Sequence, residues 1–424
     1  MDFEQILRSL PTPCYLFDEA AFVHRAARVR EAVGGGIGLT FSIKAGPFLL
    51  PHLPETFSYV EVCSPGELSL CEELHVAPEK IIFSGVNKTA DDVERAVAYG
   101  CAFLTVESEK HLRLINEAGV HSGRQIHVLV RLSDESQFGV DEALLKEMIR
   151  GRAHYAGVHF AGLHYFTGTG KTRAKEHRRE LARLDALLTE LHENYGFTPE
   201  KVEYGPGLGV EYFPPLTVEE RSEAADQTDM ELLHAVAPVL KEFAEKYPLT
   251  IEMGRFFAAP AGCYLTQVVD VKTNDGTNYA LIDGGLHQLK YDGQLMGMQI
   301  PVIHHLKAAE AAAKASVEDT AEATTPSAEG ATEAPTDPAK WTIVGSLCTT
   351  QDVIARKVPL GEVQEGDRLL FERCGAYSVT EGMALFLSRD LPAVYLLPQD
   401  KDKPVMLRKP MDTSILNLSG AFVS

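Results

Sequence analysis

Between residues 37 and 253 short, almost continuously apolar runs recur at Leu39–Lys44, Tyr59–Cys63, Ile81–Ser84, Phe103–Val106, Ile126–Leu132, Val158–His164, Lys201–Tyr204 and Leu249–Glu252. Longer stretches with apolar and polar residues mixed at helical spacing separate them, as in Ala90–Tyr99, Ser108–Ala118 and Thr172–His192. Runs apolar on both faces, alternating with helices, are the mark of parallel strands. Eight of them predict a (β/α)8 TIM-type barrel; an open doubly wound sheet is the alternative. After Arg255 the pattern changes. Residues 262–283 read as two strands joined by a turn at Asn274-Asp275-Gly276. Residues 341–348, 368–372, 384–388 and 393–397 read as further short strands, most with no helix between them. The expected fold class is therefore α/β: a barrel over 20–256, and a C-terminal mainly antiparallel β domain built from 257–424 with 1–19.

Residues 307–340 interrupt the second domain. Twelve of the residues from 308 to 339 are alanine, and Val317 is the one large apolar side chain. So little apolar surface does not offset the entropy of ordering, so a disordered low-complexity insertion is expected.

Composition narrows the function classes. With 40 Lys and Arg against 60 Asp and Glu, the net charge is −20, which argues against nucleic-acid and anionic-membrane partners. Seven cysteines at irregular spacing predict neither a disulfide framework nor a metal site. The start, MDFEQILRSL, lacks an apolar core of signal-peptide length, and no apolar run approaches the ~20 residues of a membrane span. A cytoplasmic protein is expected.

Barrel enzymes carry their reactive groups at the C-terminal ends of the strands. Here those ends hold Lys44, Glu61, His164, the turn Gly205-Pro206-Gly207-Leu208-Gly209, and Glu252-Met253-Gly254-Arg255. A lysine among Phe41, Ile43 and Ala45 approaches a close-packed site where its amine can form an imine. The glycine turn has neither a Walker lysine nor Rossmann spacing, but such turns present several N–H groups to a phosphate, and Arg255 adds a positive fork. Glu252 is placed to bind a protonated ring nitrogen. Together these match the needs of pyridoxal phosphate.

The motifs then resemble, in order along the chain, those of the fold-type III pyridoxal phosphate decarboxylases, the family of diaminopimelate, ornithine and arginine decarboxylases, with an alanine racemase-like barrel. Thr12–Asp18 is similar to the opening strand that joins the β domain, Phe41-Ser42-Ile43-Lys44-Ala45 to the cofactor-lysine motif, and Glu61–Leu68 to the segment after the second strand. Gly205-Pro206-Gly207 resembles the phosphate glycines, Asp283-Gly284-Gly285 the strand end before the specificity loop, Gly345-Ser346-Leu347-Cys348 the catalytic-cysteine motif, and Gly375-Ala376-Tyr377-Ser378 a phosphate-contacting motif.

The resemblance implies a carboxy-lyase of amino-acid metabolism, in lysine or polyamine synthesis. It implies a homodimer with active sites at the interface, Cys348 serving the other subunit's site as proton donor. It implies that Lys44 binds the cofactor covalently and that Thr169, Gly205, Gly207, Gly254, Arg255 and Tyr377 hold it with Glu61 and Glu252. Two positions depart from the pattern. Phe166 stands where the family has a histidine stacked on the ring, with His164 two residues earlier on the same face. Thr349 replaces the acidic residue that recognises a distal amine. Lys290 is a candidate carboxylate-binding residue, and Asp352 lies near the substrate pocket. Racemisation and a non-catalytic regulatory role are the rival readings; retained Glu252 speaks against the first, and retained Lys44, Glu252, Arg255 and Cys348 against the second.

Overall fold

The computed structural model describes residues 2–308 and 338–420. The insertion expected at 307–340 therefore lies, from 309 to 337, outside the described residues. Two compact units are present: residues 21–211 with 225–259, and residues 1–20, 212–224 and 260–424.

The first unit is a closed barrel of eight parallel strands. With β1 (Cys14–Asp18) reserved for the second unit, they are β2 (Gly38–Ser42), β3 (Tyr59–Val62), β4 (Ile81–Phe83), β5 (Phe103–Val106), β6 (Ile126–Leu132), β7 (Val158–Phe166), β8 (Lys201–Gly205) and β9 (Leu249–Met253). Each coincides with an apolar run of the sequence, and β9 pairs back to β2. Helices fall between the strands. Among those used below, after α1 (Phe3–Ser9), are α2 (Glu19–Val33), α3 (Pro65–Glu73), α4 (Ala90–Tyr99), α5 (Glu109–Ser122), α6 (Glu142–Arg150) and α7 (Ala174–Tyr195). Their starts follow local chemistry: Thr89 and Asp92 form a reciprocal capping box on α4, and Ser64 caps α3.

Strand alternation separates an apolar outside from a polar inside. Phe41 packs outward on Phe22 of α2 and on Phe57, so Thr40 and Ser42 face the barrel axis. That interior buries Thr40, Ser42, Glu61, Thr105, Glu107, Arg131, His164, Lys201, Glu203 and Glu252. Buried polar groups are costly without partners, and these are largely paired: Arg131 Nη1 with Glu107 Oε1 at 3.2 Å, Thr40 Oγ1 with Glu203 Oε1 at 2.9 Å, Lys201 Nζ with Thr250 Oγ1 at 2.8 Å. Burial raises the Glu203 carboxyl above its usual range and lowers the Lys201 ammonium.

The second unit is a nine-stranded, mostly antiparallel sheet. β1 joins β10 (Gly262–Asn274), β11 (Thr277–Ile282), β12 (Ile303–Leu306), β13 (Lys340–Val344), β14 (Val353–Pro359), β15 (Arg368–Phe371), β16 (Ala393–Leu397) and β17 (Val405–Arg408). β1 lies between β10, antiparallel, and β16, parallel, and Ile6, Leu7 and Leu10 of the α1 segment pack on its apolar side with Leu265, Leu370 and Tyr395. The β10–β11 hairpin turns at Asp275-Gly276, both at positive φ. Residues 384–388 do not form the strand expected of them. Phe386–Ser388 is a 3-10 turn in which Leu387 and Ser388 adopt left-handed φ of 61° and 50°, geometry that no strand contains.

Candidate active site

Lys44 sits on a 3-10 turn directly after β2. Ile43 and Ala45 are buried on either side, while the Lys44 side chain keeps 41% of its surface, more open than its flanks suggest. Its Nζ lies 3.0 Å from Glu61 Oε2, 3.3 Å from Cys63 Sγ and 3.9 Å from Glu252 Oε1. Ser42 and Glu61 are register partners on β2 and β3, which is why the amine at one strand end meets the carboxylate of the next. Burial, then the neighbouring Glu61, pushes the Cys63 thiol well up, so it stands beside the amine as a neutral group.

Glu252 on β9 is clamped at both oxygens. Ser42 Oγ donates to Oε1 at 2.9 Å and His164 Nε2 lies 3.0 Å from Oε2. Burial opposes ionisation of this carboxyl. The His164 hydrogen bond and the charges of Lys44 and His164 outweigh it and hold the pKa well below the usual carboxylate range. His164 therefore acts on the carboxylate of Glu252.

Phe166, the last residue of β7, lies against Gly205 at the end of β8; a Cβ on Gly205 would meet its ring at 2.5 Å. The Arg131 guanidinium sits 4.8 Å from the Phe138 ring centre and 6.0 Å from that of Phe166, within cation–π range. Thr169 is exposed on the loop after β7. Gly207 has φ +58°, and a Cβ there would fall 1.9 Å from the Gly168 carbonyl oxygen, so the two loops touch backbone to backbone. Gly254 immediately precedes Arg255, which opens a short helix after β9. Lys44, Glu61, His164, Phe166, Gly205, Gly207, Glu252 and Arg255 thus occupy the strand ends of one barrel mouth.

The remaining sequence candidates belong to the second unit. Cys348 is exposed, on the loop between β13 and β14. Asp352 is 3% exposed, and its oxygens accept from Leu286 N and Leu347 N, both at 2.8 Å; it ties the cysteine loop to the segment after β11. Thr349 Oγ1 accepts from Gln351 N within the same turn. Lys290 pairs with Glu381. Tyr377 has a left-handed φ of 66°, a strained conformation that concentrates at ligand sites.

As site residues, Ser42, Cys63 and Arg131 escaped the sequence reading. The signal was available as polar residues at every second position of apolar strands, Thr40 with Ser42 and Lys201 with Glu203, which fit an inward face better than a dry core.

The residues fit pyridoxal phosphate: an amine flanked by carboxylates, a buried ionised carboxylate suited to a protonated ring nitrogen, and abutting loops with no room for a Cβ at Gly205 or Gly207. Comparison with known proteins agrees. Residues 19–259 match the family model for the pyridoxal-binding domain of pyridoxal-dependent decarboxylases. The chain is 25% identical to an L-glutamyl-acyl-carrier-protein decarboxylase of Niallia circulans, over 95% of this chain and 92% of that one. It is 23% identical to a diaminopimelate decarboxylase of Zymomonas mobilis, over 96% and 93%. Among solved structures it resembles Helicobacter pylori diaminopimelate decarboxylase bound to L-lysine, with TM-score 0.78 and 21% identity over 98% of each chain.

Proposed function

The chain belongs to the pyridoxal-dependent decarboxylases, and on that premise we propose that it removes the α-carboxyl group of an amino acid lacking a distal ammonium, using Lys44 as the cofactor-bearing residue. When bound, the cofactor supplies the sink for the electron pair left on the α-carbon as carbon dioxide departs. Glu252 would supply the negative charge that keeps the ring nitrogen protonated. Glu61 orients the Lys44 amine. Gly205, Gly207, Thr169 and Arg255 would hold the phosphate, and Cys348 would return a proton to the α-carbon.

The observation that carries this reading is the placement of the Lys44 amine 3.0 Å from Glu61 and 3.9 Å from Glu252. The substrate class is supported by Thr349 in the place of an acidic side chain. A glutamyl group is the kind of substrate this describes, and the Niallia relative is named for one. The protein acts as a cytoplasmic homodimer in this reading; no described helix is long and apolar enough to cross a membrane. Purified protein is expected to show the visible band of lysine-bound cofactor, and Lys44→Ala to lose both band and carbon dioxide release. A mutant that keeps the band removes the lysine assignment. A screen of diaminopimelate, lysine, ornithine, arginine, glutamate and glutamyl thioesters, read by carbon dioxide and mass, tests the substrate class; preference for a substrate that carries a distal ammonium (diaminopimelate, lysine or ornithine) overturns it.

A further inference from the structure

Beneath the two glycine loops lies a buried charged cluster that the site described so far does not use. Loop 167–171 follows β7 and loop 205–209 follows β8. Lys171 N donates to Gly207 O at 3.0 Å and Gly209 N to Lys171 O at 2.8 Å, so the loops run zipped together. The Lys171 ammonium lies 2.9 Å from Glu180 Oε2 on α7 and also donates to Thr167 Oγ1 at the start of its own loop. The same Glu180 oxygen accepts from the Tyr204 hydroxyl at 2.5 Å, and that hydroxyl lies 2.9 Å from His177 Nδ1. His177 and Tyr204 are wholly buried, Glu180 is 6% exposed, and the Lys171 side chain is 10% exposed.

One carboxylate therefore grips both loops. It holds the first through Lys171, and the second through Tyr204, the residue directly before Gly205. Burying an ion pair is a poor way to gain stability, because desolvation offsets the attraction. It is an effective way to fix two segments in one geometry, since each partner left alone would be an unpaired charge. A nest of backbone N–H groups binds an anion only when the groups converge.

We propose that Glu180, with Lys171 and Tyr204, is a positioning unit that sets the convergence of the two loops on the cofactor's phosphate. The proposal rests on the cofactor reading above. It predicts selectivity: loss of the cluster weakens recognition of the phosphate while leaving the chemistry of Lys44, carried by the end of β2, intact.

The test compares pyridoxal phosphate with pyridoxal on full-length protein stripped of cofactor and reloaded. Glu180→Gln and Lys171→Met are each expected to raise the dissociation constant of pyridoxal phosphate by roughly tenfold, the loss expected for one hydrogen bond to a charged group. The lysine band formed with pyridoxal should be unchanged in affinity. Inorganic phosphate should raise the melting temperature of wild type more than that of either variant, a readout independent of Lys44. The double variant should bind pyridoxal phosphate about as well as Glu180→Gln alone, since the residues act as one unit. Equal weakening for both rings, or unaltered phosphate binding, overturns the proposal. Should Glu180→Gln not fold by circular dichroism, Tyr204→Phe, which keeps the ring and removes one arm, decides by the same comparison. A wild type that forms the band with neither ring but responds to inorganic phosphate overturns the cofactor reading and leaves the cluster's effect on the anion measurable.

Discussion

Replacing His164 tests the electrostatics of the barrel mouth most directly. Glu252 is nine-tenths buried and is held by Ser42 at 2.9 Å and His164 at 3.0 Å, beside the Lys44 ammonium at 3.9 Å. His164→Leu removes the second and leaves a buried carboxylate oxygen short of a donor. A hydrogen bond to a charged group contributes about 1.5–3 kcal/mol, and about 1.4 kcal/mol corresponds to one pKa unit. The Glu252 carboxyl should therefore rise by about one to two units from its depressed position. A carboxyl depressed by folding contributes stability above its unfolded pKa and loses it as pH falls through its folded pKa. The Leu variant should be less stable by about 1.5–3 kcal/mol at neutral pH. That difference should hold constant down through the ordinary carboxylate range and close only in stronger acid, when Glu252 takes up its proton in both proteins. Urea unfolding of the cofactor-free chain at several pH values measures this. His164→Gln, which keeps an N–H donor, should lose less than half as much. A Leu variant as stable as wild type at neutral pH, or a Gln variant as damaged as Leu, would refute the clamp.

Three further outcomes follow from the geometry. Gly207→Ala places a side chain at φ +58° and 1.9 Å from a carbonyl oxygen; it should cost about 1–2 kcal/mol for the backbone alone and slow reloading with pyridoxal phosphate, followed by absorbance. Asp352→Ala strands two backbone N–H groups and should destabilise the sheet unit by about 1–3 kcal/mol per group, with kcat falling alongside if Cys348 depends on that loop; unchanged kcat would separate the two. Mixed Lys44→Ala and Cys348→Ala proteins should regain part of the carbon dioxide release that each lacks alone, and no regain would place the proton donor and the lysine in one chain's site.

The barrel was legible because its strands are buried on both faces and so read as unbroken apolar runs, and because helices between them carry their own caps. The inward phase was harder to read. In a strand buried on both faces, Thr40, Ser42 and Glu203 interrupt the apolar run without breaking it, and nothing local says whether they meet water, a ligand or each other. Lys44, Glu252 and the glycine turn could be found because their residue types carry chemistry at strand ends. The role of His164 could not, since it depends on a carboxylate 88 residues away. The segment 384–388 misled for the opposite reason: Leu385, Phe386 and Leu387 are apolar and exposed, so hydrophobicity pointed to a strand where backbone conformation dictated a turn.

β1 has neighbours on both sides, β10 and β16, yet roughly two hundred and fifty residues separate it from the first and more than three hundred and fifty from the second. During synthesis this strand emerges first and must wait for more than half of the chain before one edge is covered, and for almost all of it before the other is. Pairings of such long range are slow to form and leave an open strand edge exposed meanwhile. The barrel, whose strands contact near neighbours in sequence except for the closing β2–β9 pair, can be complete before the sheet begins to close. A chain truncated before β16 would keep every barrel residue and still present one side of β1 as an adhesive edge, so aggregation rather than loss of the lysine site is the failure to expect from late truncation.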